Sequence, residues 1–116
     1  MSDIKRFDIS SRMSQVVIHD DKLFTAGIVA SDPNTDVAAQ TGQILDTIDR
    51  YLAASGSHKS KILTANIWLS SIEHYEEMNE VWDTWVDTNN PPVRACVESR
   101  LASPKYKVEI QISAVI

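Results

Sequence analysis

Apolar and polar positions alternate most cleanly from Tyr106 to Ile116, where Tyr106, Val108, Ile110, Ile112 and Ala114 oppose Lys107, Glu109, Gln111 and Ser113. A period of two is the signature of a half-buried strand. Val93 to Glu98 repeats it, with Val93, Ala95 and Val97 on one face and Arg94, Cys96 and Glu98 on the other. Ser103-Pro104-Lys105 must interrupt these runs, because proline has no N–H for a central ladder. The spacing predicts two strands placed to pair, which would bring the Arg94 and Glu109 faces together.

Upstream, Met13–His19 and Lys22–Ile28 are extended runs rich in branched and aromatic residues, joined at Asp20-Asp21 as a hairpin. Gly27 closes the second run and reads as relief of a bend. The residues before Met13 read only as a lead-in segment. Ile62–Leu69 is a further strand, with Leu63, Ala65, Ile67 and Leu69 against Ile62, Thr64, Asn66 and Trp68. Two stretches repeat at helical spacing instead. In the first, Val37, Thr41, Ile44, Leu45, Ile48, Tyr51 and Leu52 form a stripe after a loop of N-cap residues, and Gly56 predicts a stop near Ser55. In the second, Tyr75, Met78, Trp82, Trp85 and Val86 form a stripe that must end by Asn89-Asn90-Pro91-Pro92.

The order of strands, helix, strand, helix, strands predicts an α+β fold in which two helices cover one face of a single sheet. The other face then meets water or a second subunit. Polar groups mixed with Ile62 and Trp68 on it point to a homo-oligomer with pockets between subunits.

Composition narrows the function classes. The 116 residues, 43% apolar, suit one domain over residues 1–116. A net charge of -5 argues against broad attraction to nucleic acid. One cysteine permits no internal disulfide and suits a reducing compartment. With no signal-like apolar run in the first ten residues and no span of membrane length, a soluble cytoplasmic protein without membrane partners is expected.

Among chemical candidates, Arg94 ranks first: its guanidinium either grips a planar carboxylate through two parallel hydrogen bonds or closes a salt bridge between subunits. Glu109 either orients and deprotonates a water or is an ordinary solvated carboxylate. Cys96 has no histidine or lysine in its own segment to activate it and reads as an inert thiol. His19, His58 and His74 have no second ligand at metal-binding spacing. Trp82 and Trp85 fall on a core stripe, and Glu73, Glu76, Glu77 and Glu80 form a solvated helix face.

The residues Pro92-Val93-Arg94-Ala95-Cys96-Val97 and Tyr106-Lys107-Val108-Glu109-Ile110, with Met78-Asn79 and Thr25-Ala26-Gly27, resemble the RidA/YjgF family of imine deaminases. Within that family they are most similar to the shorter bacterial YoaB-like members, almost end to end. The resemblance implies a chorismate-mutase-like sheet assembled as a trimer, with clefts between subunits. It implies hydrolysis of 2-imino acids or their enamine tautomers to 2-keto acids and ammonia, without a cofactor. Arg94 would hold the substrate carboxylate and Glu109 would position the attacking water. Cys96 and Gly27 would line the cleft, and Asn79 would support it.

Two positions depart from the family pattern. Met13 stands where the best-known deaminases have a tyrosine, and Ala26 where they have a serine. Loss of two hydroxyls predicts a slower or differently selective enzyme, with Met13 admitting a more hydrophobic substrate. A carboxylate-binding or regulatory protein without turnover is the alternative, and ribonuclease activity is disfavoured by the acidic balance.

Overall fold

The computed structural model describes residues 3–116, so Met1 and Ser2 of the lead-in segment lie outside it. In chain order it forms β1 (Ile4–Ile9), β2 (Ser14–His19), β3 (Lys22–Thr25), α1 (Val37–Ala54), β4 (Ile62–Leu69), α2 (Tyr75–Trp85), β5 (Val93–Glu98) and β6 (Val108–Val115). The strands make one sheet in the order β1-β2-β3-β6-β4-β5. Both helices pack on one face of it, the α+β arrangement expected from the alternating periods. Among the described residues no helix is long and apolar enough to cross a membrane.

The expected pairing of β5 with β6 does not occur. β5 lies parallel to β4, and β4 stands between β5 and β6. Parallel neighbours need a long crossover, and α2 supplies it. The proline-bearing segment after β5 therefore steps over the end of β4 instead of closing a hairpin. Backbone bonds Ser99 N to Leu69 O (2.8 Å) and Ser70 N to Lys107 O (3.0 Å) hold it there.

This order changes which residues share a face. Arg94 pairs with Ala65 and Cys96 with Ile67, and both partners are core residues at 1% exposure. Glu109 pairs with Trp68, which pairs with Val97 on the uncovered side. Arg94 and Cys96 thus belong to the helix-covered face and Glu109 to the open one. The uncovered face is the more apolar half of β5: Val93 is 70% and Val97 50% exposed, with Phe24 at 46%.

Two further details depart from the alternation. The register shifts between Ile62 and Thr64, so Leu63 is an extra residue that lets Ile62 turn into the core. Ile62 is accordingly absent from the open face. The lead-in segment is also a strand, β1, which pairs along β2 with all its residues exposed. Of its apolar side chains, Phe7 opposes the core residue Val16 and lies beside Tyr51, Ala54 and Ser55 at the end of α1, while Ile4 and Ile9 remain 48% and 67% exposed. What ties β1 inward is Asp8, whose Oδ2 accepts from the Tyr51 hydroxyl of α1 at 3.1 Å.

Helix α1 begins and ends as its caps dictate. Asp36 accepts from Ala39 N at 2.8 Å, and Glu77 of α2 accepts from Ala38 N at 2.9 Å. At the other end Gly56 takes φ 78°, which a side chain would resist. Between helix and sheet lie Leu23, Ile44, Ile48, Leu52, Ile67 and Ile110, each at or near zero exposure.

One buried polar residue, Gln40, sits among them. Its Nε2 donates toward the carbonyls of Pro33 (3.0 Å), Thr35 (3.2 Å) and Lys105 (3.0 Å), while its Oε1 accepts from Lys107 N at 2.9 Å. It fastens both loops beside the site to α1. Gln40→Leu keeps the bulk but orphans these groups, and is expected to cost about 3 kcal/mol, measurable as a lowered urea midpoint.

Candidate functional site

Arg94 is held by α2. Its Nη1 donates to Asn79 Oδ1 at 2.7 Å and its Nη2 donates to the Tyr75 hydroxyl at 3.3 Å. Its guanidinium carbon lies 5.4 Å from the Trp82 ring centroid and 5.9 Å from that of Tyr75. Tyr75, Asn79 and Trp82 stand at i, i+4 and i+7, one stripe of the helix. The parallel crossover lays that stripe over edge strand β5, so sequence neighbours on a helix converge on a distant arginine. Among the described residues no carboxylate pairs with Arg94. Its charge meets only a neutral amide, a hydroxyl and two ring faces, and further N–H donors of its fork remain for an anion.

Glu109 belongs to a different part of the molecule. With Met13, Gln15, Gly27, Val29, Thr47, Tyr51 and Tyr106 it lines a cavity of about 580 Å³. Burial pushes its carboxyl above the usual glutamate range, and no basic group counters the effect. A larger hollow of about 760 Å³ lies beside the segment after β5, sharing Ala102 and Tyr106 with the first, and contains neither Arg94 nor Glu109.

Gly27 is explained by this cavity. A Cβ added there would run into the Glu109 carboxylate, and its φ is not in the left-handed region. The expected bend is therefore not its main use; close approach of Glu109 is. Gly27→Ala should swing the Glu109 carboxylate aside with little change in stability, seen as a displaced Glu109 side chain in the variant's crystal structure and a nearly unchanged urea midpoint. A carboxylate left in its wild-type position would show that the two positions do not compete for space.

The other sequence candidates divide between the two regions. Asn79 joins Arg94 and Met13 joins Glu109. Cys96 is half-buried on the Arg94 face, where burial pushes its thiol up and the Arg94 charge pulls weakly the other way. Such a thiol is a poor nucleophile at neutral pH. Ala26 is not part of the cavity wall; its N–H donates to Gln15 O at 2.8 Å. His58 Nδ1 caps Ser60 N at 3.1 Å, and among the described residues no three His, Cys, Asp or Glu side chains gather around a metal-sized space. In the sequence Tyr75 and Trp82 read as core residues only: their spacing from Asn79 is visible there, but their meeting with Arg94 depends on β5 pairing with β4.

A six-stranded mixed sheet with two helices packed on one face is the architecture of a known class of small α+β proteins. Residues 4–116 match the sequence model of the endoribonuclease L-PSP family, and the chain belongs to that family, the RidA/YjgF proteins. It is 47% identical over 113 residues to a RutC family protein of Haemophilus ducreyi, covering 97% of each chain. It is 42% identical over 113 residues to the RutC family protein YoaB of Escherichia coli, covering 97% of this chain and 98% of the relative. The crystal structure of a YjgF family member from Neisseria meningitidis matches it with TM-score 0.94 at 44% identity, over 97% of this chain and 94% of the other.

Proposed function

We propose that the protein is a cytoplasmic enzyme that hydrolyses 2-imino acids to 2-keto acids and ammonia, in clefts shared between copies of the chain assembled as a trimer. The observation that carries this reading is Arg94: a guanidinium on a strand, aimed by neutral groups and without an acidic partner among the described residues, suits a carboxylate ligand. Arg94 holds the substrate carboxylate, and Glu109 orients a water toward the imine carbon. Starting from the protonated imine, the water oxygen bonds to that carbon as the C=N π pair moves to nitrogen, and Glu109 takes a water proton, giving the neutral carbinolamine. Glu109 returns that proton to the nitrogen, the C–N bond breaks to release ammonia, and the hydroxyl proton passes to the Glu109 carboxylate and on to solvent as the keto C=O forms.

The two groups occupy opposite faces of one sheet, so a molecule as small as an imino acid reaches both only when a second copy supplies one of them. The exposed Val93, Val97 and Phe24 give the open face the apolar surface such an assembly would cover. An imine is already electrophilic, so positioning can accelerate its hydrolysis without a covalent intermediate.

The test is to generate 2-iminopropanoate and 2-iminobutanoate with an amino-acid oxidase and trap the residual imine with semicarbazide. The protein is expected to lower the trapped imine in proportion to its concentration; an unchanged yield across small and bulky imino acids overturns the reading. Met13 and Ala26, which bring no hydroxyl, favour a second reading as a carboxylate-binding protein. Saturable binding of a 2-keto acid without any rate effect would establish that alternative.

A further inference from the structure

The Tyr75 hydroxyl has more chemistry than its place in the core requires. A phenylalanine ring would fill the same space and offer the same face to the Arg94 cation. The hydroxyl oxygen accepts from Arg94 Nη2 at 3.3 Å, which engages a lone pair and turns the O–H away from the guanidinium. Among the described residues that proton meets no acceptor: the only hydrogen bond at Tyr75 Oη is the one from Arg94. Tyr75 is half-buried, and its hydroxyl lies beside the arginine fork.

Asn79 meanwhile occupies one position on Nη1 at 2.7 Å and fixes the plane of the fork. An anion gripped by Nη2 would bring an oxygen within reach of the same hydroxyl, since the donor it binds is itself a neighbour of Tyr75 Oη. Helix α2 therefore presents two different services to one cation: an amide that aims it and a phenol that extends it. Charge-assisted O–H···O⁻ bonds are among the stronger hydrogen bonds available to a site. This donor stands on the Arg94 half, whereas Met13 contributes no hydroxyl to the Glu109 cavity.

We propose that Tyr75 is a second carboxylate-binding residue, its hydroxyl donating to the same 2-oxo or 2-imino carboxylate that Arg94 grips. The inference rests on the carboxylate reading of Arg94. It assigns to the ligand an oxygen held by two unlike donors, a cationic N–H and a neutral O–H.

The experiment titrates 2-oxobutanoate, a stable analogue of the imino acid, into wild type, Tyr75→Phe and Arg94→Ala by calorimetry, with steady-state kinetics on 2-iminobutanoate alongside. Tyr75→Phe is expected to weaken 2-oxobutanoate binding about tenfold and to raise KM in proportion, with kcat within about twofold of wild type. Wild-type affinity in Tyr75→Phe, with binding lost in Arg94→Ala, overturns the Tyr75 assignment and leaves Arg94's role standing. A parallel fall of affinity, kcat and melting temperature in Tyr75→Phe also overturns it, since that is the pattern of a structural prop. No binding by wild type, or equal binding by Arg94→Ala, removes the carboxylate reading itself and the Tyr75 proposal with it.

Discussion

Replacing Arg94 by alanine is expected to lower kcat/KM for 2-iminobutanoate roughly 100- to 10,000-fold, the loss of two charge-assisted hydrogen bonds at about 1.5–3 kcal/mol each. The fold should survive. Among the described residues Arg94 has no ion pair to break, and its partners Asn79 and Tyr75 are half-buried and able to turn toward water. Stability should therefore change by only about 1 kcal/mol, seen as a small shift in urea midpoint. Retained activity in the folded variant would mean that the guanidinium is merely structural, packed between the rings of Tyr75 and Trp82.

Glu109→Gln should produce a different pattern. It preserves shape but removes the proton acceptor, so kcat should fall about 100-fold or more with KM little changed. The pH behaviour follows from the burial of Glu109, which raises its native pKa above its unfolded value. The native carboxyl binds its proton more tightly, so its contribution favours the fold most below the unfolded pKa and is lost as pH rises through the native one. Glu109→Gln should thus be slightly more stable than wild type at neutral pH, with the difference vanishing in acid. The acid limb of the wild-type rate profile should lie above the ordinary glutamate range.

Combining the two variants tests where the halves of the site meet. In an equal co-assembled mixture, roughly a quarter of shared clefts pair an intact arginine from one copy with an intact glutamate from another, restoring about a quarter of wild-type activity. A mixture as inactive as its parents would place both groups of each site in one chain. The register predicts recovery, because β4 separates strands whose functional side chains point to opposite faces.

How far the fold could be read from the chain depended on how local the determining signal was. Val37 to Gly56 carries its stripe, its cap at Asp36 and its stop within one stretch, and α1 follows those marks. The Asp20-Asp21 turn was equally local, with Asp20 taking φ 55° between paired His19 and Lys22. The neighbour of β5 was not local: two alternating runs joined by a short connection look like a hairpin, and only the α2 crossover makes β5 parallel to β4. A hairpin there would set Arg94 and Glu109 on one face, which the intervening β4 prevents. The same non-local pairing hides the α2 stripe as a holder of Arg94, since Tyr75 and Trp82 carry the same apolar periodicity as any core residue. Leu63 failed for a smaller reason, because a bulge reverses a period of two without any glycine or proline to announce it.

The contact between Gly27 and Glu109 has a consequence for how such a chain can diverge. These positions lie on separate segments, yet the space that one leaves empty is the space the other's carboxylate fills. A larger residue at position 27 is compatible with the fold only where residue 109 has become shorter or been redirected. Among descendants of this sequence the two sites should therefore drift as a pair, and a lineage that replaced the glycine alone would keep its architecture while displacing the Glu109 carboxylate.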